Sequence, residues 1–166
     1  MRDKAIILTL AHTGMRRGEV VAMMLDDLDL VGETVYVPKS KNKTTRTVAL
    51  HPDATGALLR YLRASEAERP DCERAVWLSC AHRPIKPLTA SGLSQMLDRR
   101  GDAAQVDVRA HAFRRRQTGE WMARGGSETG LTTNNGWRTT AMIRRYSKDT
   151  LEANAIAESR RLFNPS

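Results

Sequence analysis

Residues 28–50, LDLVGETVYVPKSKNKTTRTVAL, decide the fold. β-Branched and aromatic residues gather on either side of Gly32, the polar run KSKNKTT at 39–45 follows, and RTVAL at 46–50 is β-rich again. Strand, turn, strand, loop, strand is the pattern of a small antiparallel sheet. Everything around it has helical spacing. Upstream, Ile6, Ile7, Leu10 and Ala11 predict a helix from Asp3 to His12, with Asp3 capping its start and Gly14 stopping it. A second short helix is expected from Arg17 to Leu25, closed by Asp26 and Asp27. Downstream, Ala57, Leu58, Tyr61 and Leu62 predict a helix from Asp53 to about Glu68, before Pro70. Pro84 and Pro87 mark 79–88 as an extended loop, after which Thr89 or Ser91 caps a helix that reaches Arg100 and is ended by Gly101. Helices are also expected at 109–124, ended by Gly125 and Gly126, and at 149–163. The fold class is α+β, mainly α: a helical domain with a small antiparallel β-sheet.

At 166 residues the chain is long enough for one domain with a hydrophobic core. No apolar run approaches the ~20 residues of a membrane span. The N-terminal apolar stretch ends at His12, Thr13 and Gly14, without the small-residue cleavage pattern of a secretory signal, which points to the cytoplasm. Cys72 and Cys80 form no CxxC pair and have no histidine at metal-ligand spacing, so they read as free thiols. Lys and Arg number 27 against 19 Asp and Glu, a net charge of +8 that favours a polyanion, nucleic acid before membrane.

Four polar pieces carry the chemistry by their order. TGMRRGEV sets Arg16 and Glu19 three residues apart at a helix start, where they share a face. Arg16 can point its planar fork at a phosphate while Glu19 orients neighbouring cations; an ordinary surface ion pair is the plain alternative. KSKNKTTRTVAL places Lys39, Lys41 and Lys43 in a hairpin loop, which could also be a solvated basic loop gripping phosphate. AHAFRRRQTGEWMARGG puts His111 and Arg114 on one helical face. GWRTTAMIRRYSKDT sets Trp137 nine residues before Tyr146.

In that order and register the four pieces resemble the catalytic domain of the tyrosine recombinases (phage integrases), over nearly the whole chain. The resemblance implies a site-specific recombinase that cleaves and rejoins double-stranded DNA through a 3′-phosphotyrosine, with no cofactor, no metal and no membrane partner, as a homo-oligomer, a tetramer on DNA. It implies Arg16, Lys41, His111, Arg114, Trp137 and Tyr146 as catalytic residues and Glu19 as their support. Tyr146 is the nucleophile. Aligning RTVAL with the family's closing strand puts Lys41 at the general acid, with Lys39 and Lys43 as runners-up. Arg16 and Arg114 hold the scissile phosphate, His111 is proton acceptor or further phosphate donor, and Trp137 donates its indole N–H.

The sequence departs from the family in places. Residues 126–136 contain Gly126, Gly130, Asn134, Asn135 and Gly136 with Leu131 as the only apolar residue, so the helix expected here is short or frayed and its hold on Trp137 in doubt. Arg115 stands where many relatives have another histidine. Relatives carry an N-terminal helical domain that closes a clamp on DNA; residues 1–166 are read as the catalytic domain alone, with low and salt-dependent DNA affinity. Leu151, Ile156, Leu162 and Phe163 form either a partner face or an intramolecular one. The main alternative is a non-catalytic DNA-binding regulator derived from an integrase, against which all the expected site residues stand. A type IB topoisomerase shares the chemistry but fits the compact hairpin and HxxR piece less well, and an aromatic content of 5% leaves little for base stacking by an RNA-binding protein.

Overall fold

The computed structural model describes residues 1–38, 45–79, 84–143, 155–160 and 162–163. Helix α1 (Arg2–Thr13) buries Ala5, Ile6, Thr9, Leu10 and Thr13, a stripe that recurs every four residues or so and packs on α3 and α5. Asp3 does not cap it. It sits in the first turn and pairs with Arg2 and Arg100, while Met1 is the N-cap. Gly14 ends the helix in the left-handed conformation, φ 64°. Helix α2 (Arg17–Val21) is shorter than its spacing predicted; a 3₁₀ turn, Leu25–Asp27, replaces its expected end.

The sheet is β1 (Leu28–Asp29), β2 (Thr34–Val37) and β3 (Arg46–Ala49), antiparallel in the order β1-β2-β3. Asp29 Oδ1 accepts from the N–H groups of Val31 and Gly32 and closes the first turn; the left-handed residue is Glu33, φ 50°, rather than Gly32. Between β2 and β3, Val35 faces Val48 and Val37 faces Arg46. With side chains alternating between faces, Arg46 therefore points inward with Val48 and is 7% exposed, while Tyr36 and Thr47 face out.

Helix α3 (Pro52–Ser65) begins one residue before the expected start, with His51 Nδ1 accepting from the Asp53 N–H, and passes into a 3₁₀ turn at Glu66–Glu68. The segment after it is held by two isolated bridges, Met24 with Ala75 and Leu78 with Pro87. Between them Trp77 is fully buried and stacks on Tyr61, whose hydroxyl accepts from the Leu78 N–H. Helix α4 (Ala90–Ala104) is capped by Thr89 and runs through Gly101, contrary to the expected stop. The left-handed cap is Gln105, φ 57°. Gly101 is buried because the chain folds back across it: a Cβ there would lie 2.5 Å from the Val106 carbonyl oxygen. Close approach, not helix termination, explains this glycine.

Helix α5 (Ala110–Ala123) is followed by α6 (Glu128–Asn135). The latter is short, as its composition predicted, but it is not frayed. Ser127 Oγ accepts from the Gly130 N–H at its start, Leu131 and Asn135 are fully buried, and Gly136 closes it at φ 59°. The main core, around Ile6, Leu10, Leu58, Trp77, Leu93 and Leu97, lies between α1, α3, α4 and the sheet. A smaller cluster of Met122, Leu131, Trp137 and Ile143 holds α5 to α6. Of the last predicted helix, residues 155–160 are helical, and Ile156, Leu162 and Phe163 are exposed. No helix among the described residues is long and apolar enough to cross a membrane.

Candidate active site

Four of the expected site residues, Arg16, Glu19, Arg114 and Trp137, gather near the C-terminal end of α6. A helix leaves its last carbonyls without intrahelical partners and carries partial negative charge there, a natural seat for cations. Three consecutive carbonyls of this end each accept from a different arginine. Asn134 O accepts from Arg46 Nε at 2.7 Å, Asn135 O from Arg114 Nη2 at 2.6 Å, and Gly136 O from Arg16 Nη2 at 3.5 Å. The arginines come from β3, α5 and the N-cap of α2. The backbone turn acts as a template to which all three guanidinium groups are tied.

Arg114, 5% exposed, also donates through Nη1 to the Gly14 carbonyl at 2.6 Å, so its fork is fixed by backbone on two sides. Its Cζ lies 5.1 Å from the centroid of the Trp137 ring, within cation–π range. Trp137 is itself pinned, its backbone N–H donating to Thr132 O at 3.0 Å and its ring lying in the cluster with Leu131 and Ile143. Gly14 must be glycine. A Cβ there would sit 2.6 Å from Gln117 Oε1 and 2.8 Å from Asn135 Oδ1. These are buried oxygens with no hydrogen-bond donor among the described residues, and a Gly14 Cα–H faces them instead. Asn134 Nδ2 donates to Thr13 O at 3.1 Å, a second tie between α6 and the turn after α1.

Arg16 and Glu19 form more than a surface pair. Glu19 Oε2 accepts from the Arg16 backbone N–H and Oε1 from Arg16 Nη1, both at 2.8 Å, so the carboxylate caps α2 and holds the side chain of the residue it caps. Arg46 grips the same carboxylate from the other side, Nη2 to Oε2 at 2.8 Å and Nη1 to Oε1 at 3.3 Å. Burial pushes the Glu19 carboxyl up, but the bonds from Arg46, the Arg16 N–H and the nearby charges outweigh it and hold the group at about 2. Arg16 and Arg46 share the one carboxylate and Arg114 adds a third guanidinium seated on backbone carbonyls, which leaves the cluster positive and electrostatically suited to a phosphate.

The structure thus brings together Arg16, Glu19, Arg114 and Trp137. His111 lies one turn before Arg114 on α5, exposed. Arg115 is exposed on that helix too. Tyr146 and Lys41, with its runners-up Lys39 and Lys43, lie outside the described residues, as does Cys80. Cys72 is a free, exposed thiol. The residue that sequence reasoning missed is Arg46. Its signal was present: in RTVAL it alternates with Val48 and Leu50, the inward positions of the strand, where a charged residue calls for a buried partner.

On the outer side of α1, His12, His51 and Asp53 bring three ligand-type atoms within 4.8 Å of one another. The two imidazoles stack at 4.2 Å with 12° between their planes, so their in-plane lone pairs run parallel and do not converge on one ion. Burial, aided by the charge that His51 can carry beside it, pushes His12 down.

Residues 1–152 match the Phage integrase family, and the chain belongs to it. Among curated proteins, it is 26% identical over 113 residues to tyrosine recombinase XerA of Saccharolobus solfataricus, covering 68% of this chain and 34% of that protein. It is 30% identical to y4rA of Sinorhizobium fredii, named as an integrase/recombinase, covering 93% of this chain and 38% of the relative. Among solved structures, an XerA recombinase superposes with a TM-score of 0.81 at 23% identity, over 99% of this chain and 59% of that one. The Tn1549 transposon integrase in complex with transposon right end DNA gives 0.73 at 18% identity, over 96% and 58%. The chain spans a third to two fifths of these curated relatives' lengths and under two thirds of these solved chains.

Proposed function

We propose that this chain supplies the chemical centre of a site-specific DNA recombinase, breaking and rejoining a phosphodiester through a covalent bond to Tyr146. The supporting observation is that Arg114 is held on the Asn135 carbonyl at 2.6 Å while Arg16, held by Glu19 at 2.8 Å, reaches the adjacent Gly136 carbonyl at 3.5 Å, so both guanidiniums are anchored at one turn before any substrate arrives. Such preorganised donors stabilise charge that develops in a transition state without reorganising as it forms.

In this reading Arg16 and Arg114 hold the non-bridging oxygens of the scissile phosphate. The Tyr146 oxygen attacks phosphorus, its proton passing to His111 as the O–P bond forms. A free phenol has a pKa near ~10, so attack at neutral pH requires that transfer. The bond from phosphorus to the 5′ oxygen breaks, and Lys41 protonates the departing oxygen. Attack by a 5′ hydroxyl on the phosphotyrosine reverses every step, so no net bond energy is spent. Trp137 supports the Arg114 guanidinium with its ring and offers its indole N–H to the phosphate. The arginines supply the positive charge, and the step as written needs no metal. The partner is double-stranded DNA, the working assembly a tetramer of recombinases on it, and the compartment the cytoplasm.

The test is incubation with a nicked suicide duplex, in which the 5′ fragment diffuses away and traps the adduct. A protein–DNA band that maps to Tyr146 and vanishes in Tyr146→Phe supports the reading. An adduct that survives Tyr146→Phe overturns the nucleophile, and no adduct from DNA-bound protein favours the regulator.

A further inference from the structure

Arg46 is placed to control the site without touching the substrate. Its side chain is only 3% exposed, and each of its guanidinium nitrogens is engaged: Nε with Asn134 O, Nη1 and Nη2 with the two oxygens of Glu19. The guanidinium also lies close against Gly136, where a Cβ would stand 2.9 Å from Nη1 and 3.2 Å from Cζ. Through Glu19 it reaches Arg16; through Asn134 it reaches the turn whose next two carbonyls hold Arg114 and Arg16. It begins β3, opposite Val37, and so closes the hairpin whose loop contains Lys41. One side chain therefore joins three segments that are far apart in sequence and each carry a residue of the proposed centre.

We propose that Arg46 is a positioning residue of the cleavage reaction: it locks the Glu19 carboxylate and the Asn134–Gly136 turn into the arrangement that aims Arg16 and Arg114. The inference rests on the recombinase reading above. Its physical basis is the planar fork. Lysine keeps the charge but carries its three donors on one nitrogen at the end of a flexible stem, and does not reproduce the planar spread by which Arg46 reaches both carboxylate oxygens and a carbonyl from three nitrogens. Without the lock, Glu19 remains buried beside Arg16 alone, free to draw that guanidinium off the phosphate.

The test measures single-turnover adduct formation on the suicide duplex at saturating DNA, with the DNA half-saturation point measured separately and folding checked by circular dichroism at the assay temperature. For Arg46→Lys the expected result is a rate lower by about 10- to 100-fold, the usual consequence of small misplacement, with half-saturation moved by less than about 3-fold. Adding Arg46→Lys to Glu19→Gln should cost far less than adding it to the parent, because the shared carboxylate link is already gone. If Arg46→Lys does not fold, Arg46→Met combined with Glu19→Met removes both buried charges together and takes the same readout. Folded Arg46→Lys cleaving at the parent rate overturns the inference, as does a loss confined to DNA binding or one undiminished in Glu19→Gln. If the parent itself forms no adduct, the recombinase reading fails first and the inference with it.

Discussion

The Arg114 guanidinium donates to the Asn135 carbonyl at 2.6 Å, so a side chain of α5 is aimed by the backbone that ends α6. With the equally short bond to Gly14 O, this makes the orientation of Arg114 a property of two turns rather than of its own helix. Arg114→Lys cannot reproduce both bonds. Adduct formation should fall by about 10²- to 10³-fold, as for loss of one preorganised donor, with a smaller change in DNA affinity. A variant within a few-fold of the parent in single-turnover cleavage would show that charge alone suffices at this position.

Gly14 carries the other carbonyl. Its φ of 64° and the amide oxygens at 2.6 and 2.8 Å from a would-be Cβ act together. Gly14→Ala should cost at least about 1–2 kcal/mol from backbone conformation alone, with more from displacing Gln117 and Asn135. Urea denaturation measures it; an unchanged midpoint would mean that the α1–α2 turn relaxes freely.

The Glu19 carboxyl lies at about 2, below its ordinary 4.5. A carboxyl depressed by folding contributes stability that is complete above its unfolded value and is lost as pH falls through the folded one. Between about pH 4.5 and 2, Glu19→Gln should therefore lose stability less steeply than the parent. Thermal melts across that window check the slope, and parallel slopes would refute the assignment of this titration to Glu19.

Leu131, on α6, is fully buried in the cluster with Met122, Trp137 and Ile143. Leu131→Ala should destabilise the chain by about 2–5 kcal/mol and slow cleavage even at temperatures where the protein stays folded, since the carbonyl template moves with α6. Differential melting followed by the adduct assay separates the two effects; full activity per folded molecule would free the template from this packing.

Much of the fold was legible because it is encoded locally. Ile6 and Leu10, or Leu58 and Tyr61, mark helix faces by spacing, and the valines of 34–37 and 46–49 mark a sheet wherever they occur in space. Reading failed where the reason for a residue lay in a distant segment. Gly101 looked like a helix stop and is a point of contact with the chain folding back over it. The glycines, threonines and asparagines of 126–136 looked like a weak helix, yet Ser127, the buried Leu131 and three arginines bonded to its last carbonyls make α6 firm. Arg46 was passed over as the start of a strand.

The sequence by itself determined the order and spacing of Arg16, Glu19, His111, Arg114, Trp137 and Tyr146, and the helices that bear Glu19, His111 and Arg114, because periodicity and motif register are properties of the chain in one dimension. Only the tertiary structure decided that the carbonyls of Asn134, Asn135 and Gly136 would each receive a different guanidinium and that Arg46 would share Glu19 with Arg16. The bonds of the three arginines to those carbonyls, and of Arg46 to Glu19, join residues 21 to 120 positions apart, and an arginine's partner at that range is chosen by which buried acceptors packing leaves unpaired.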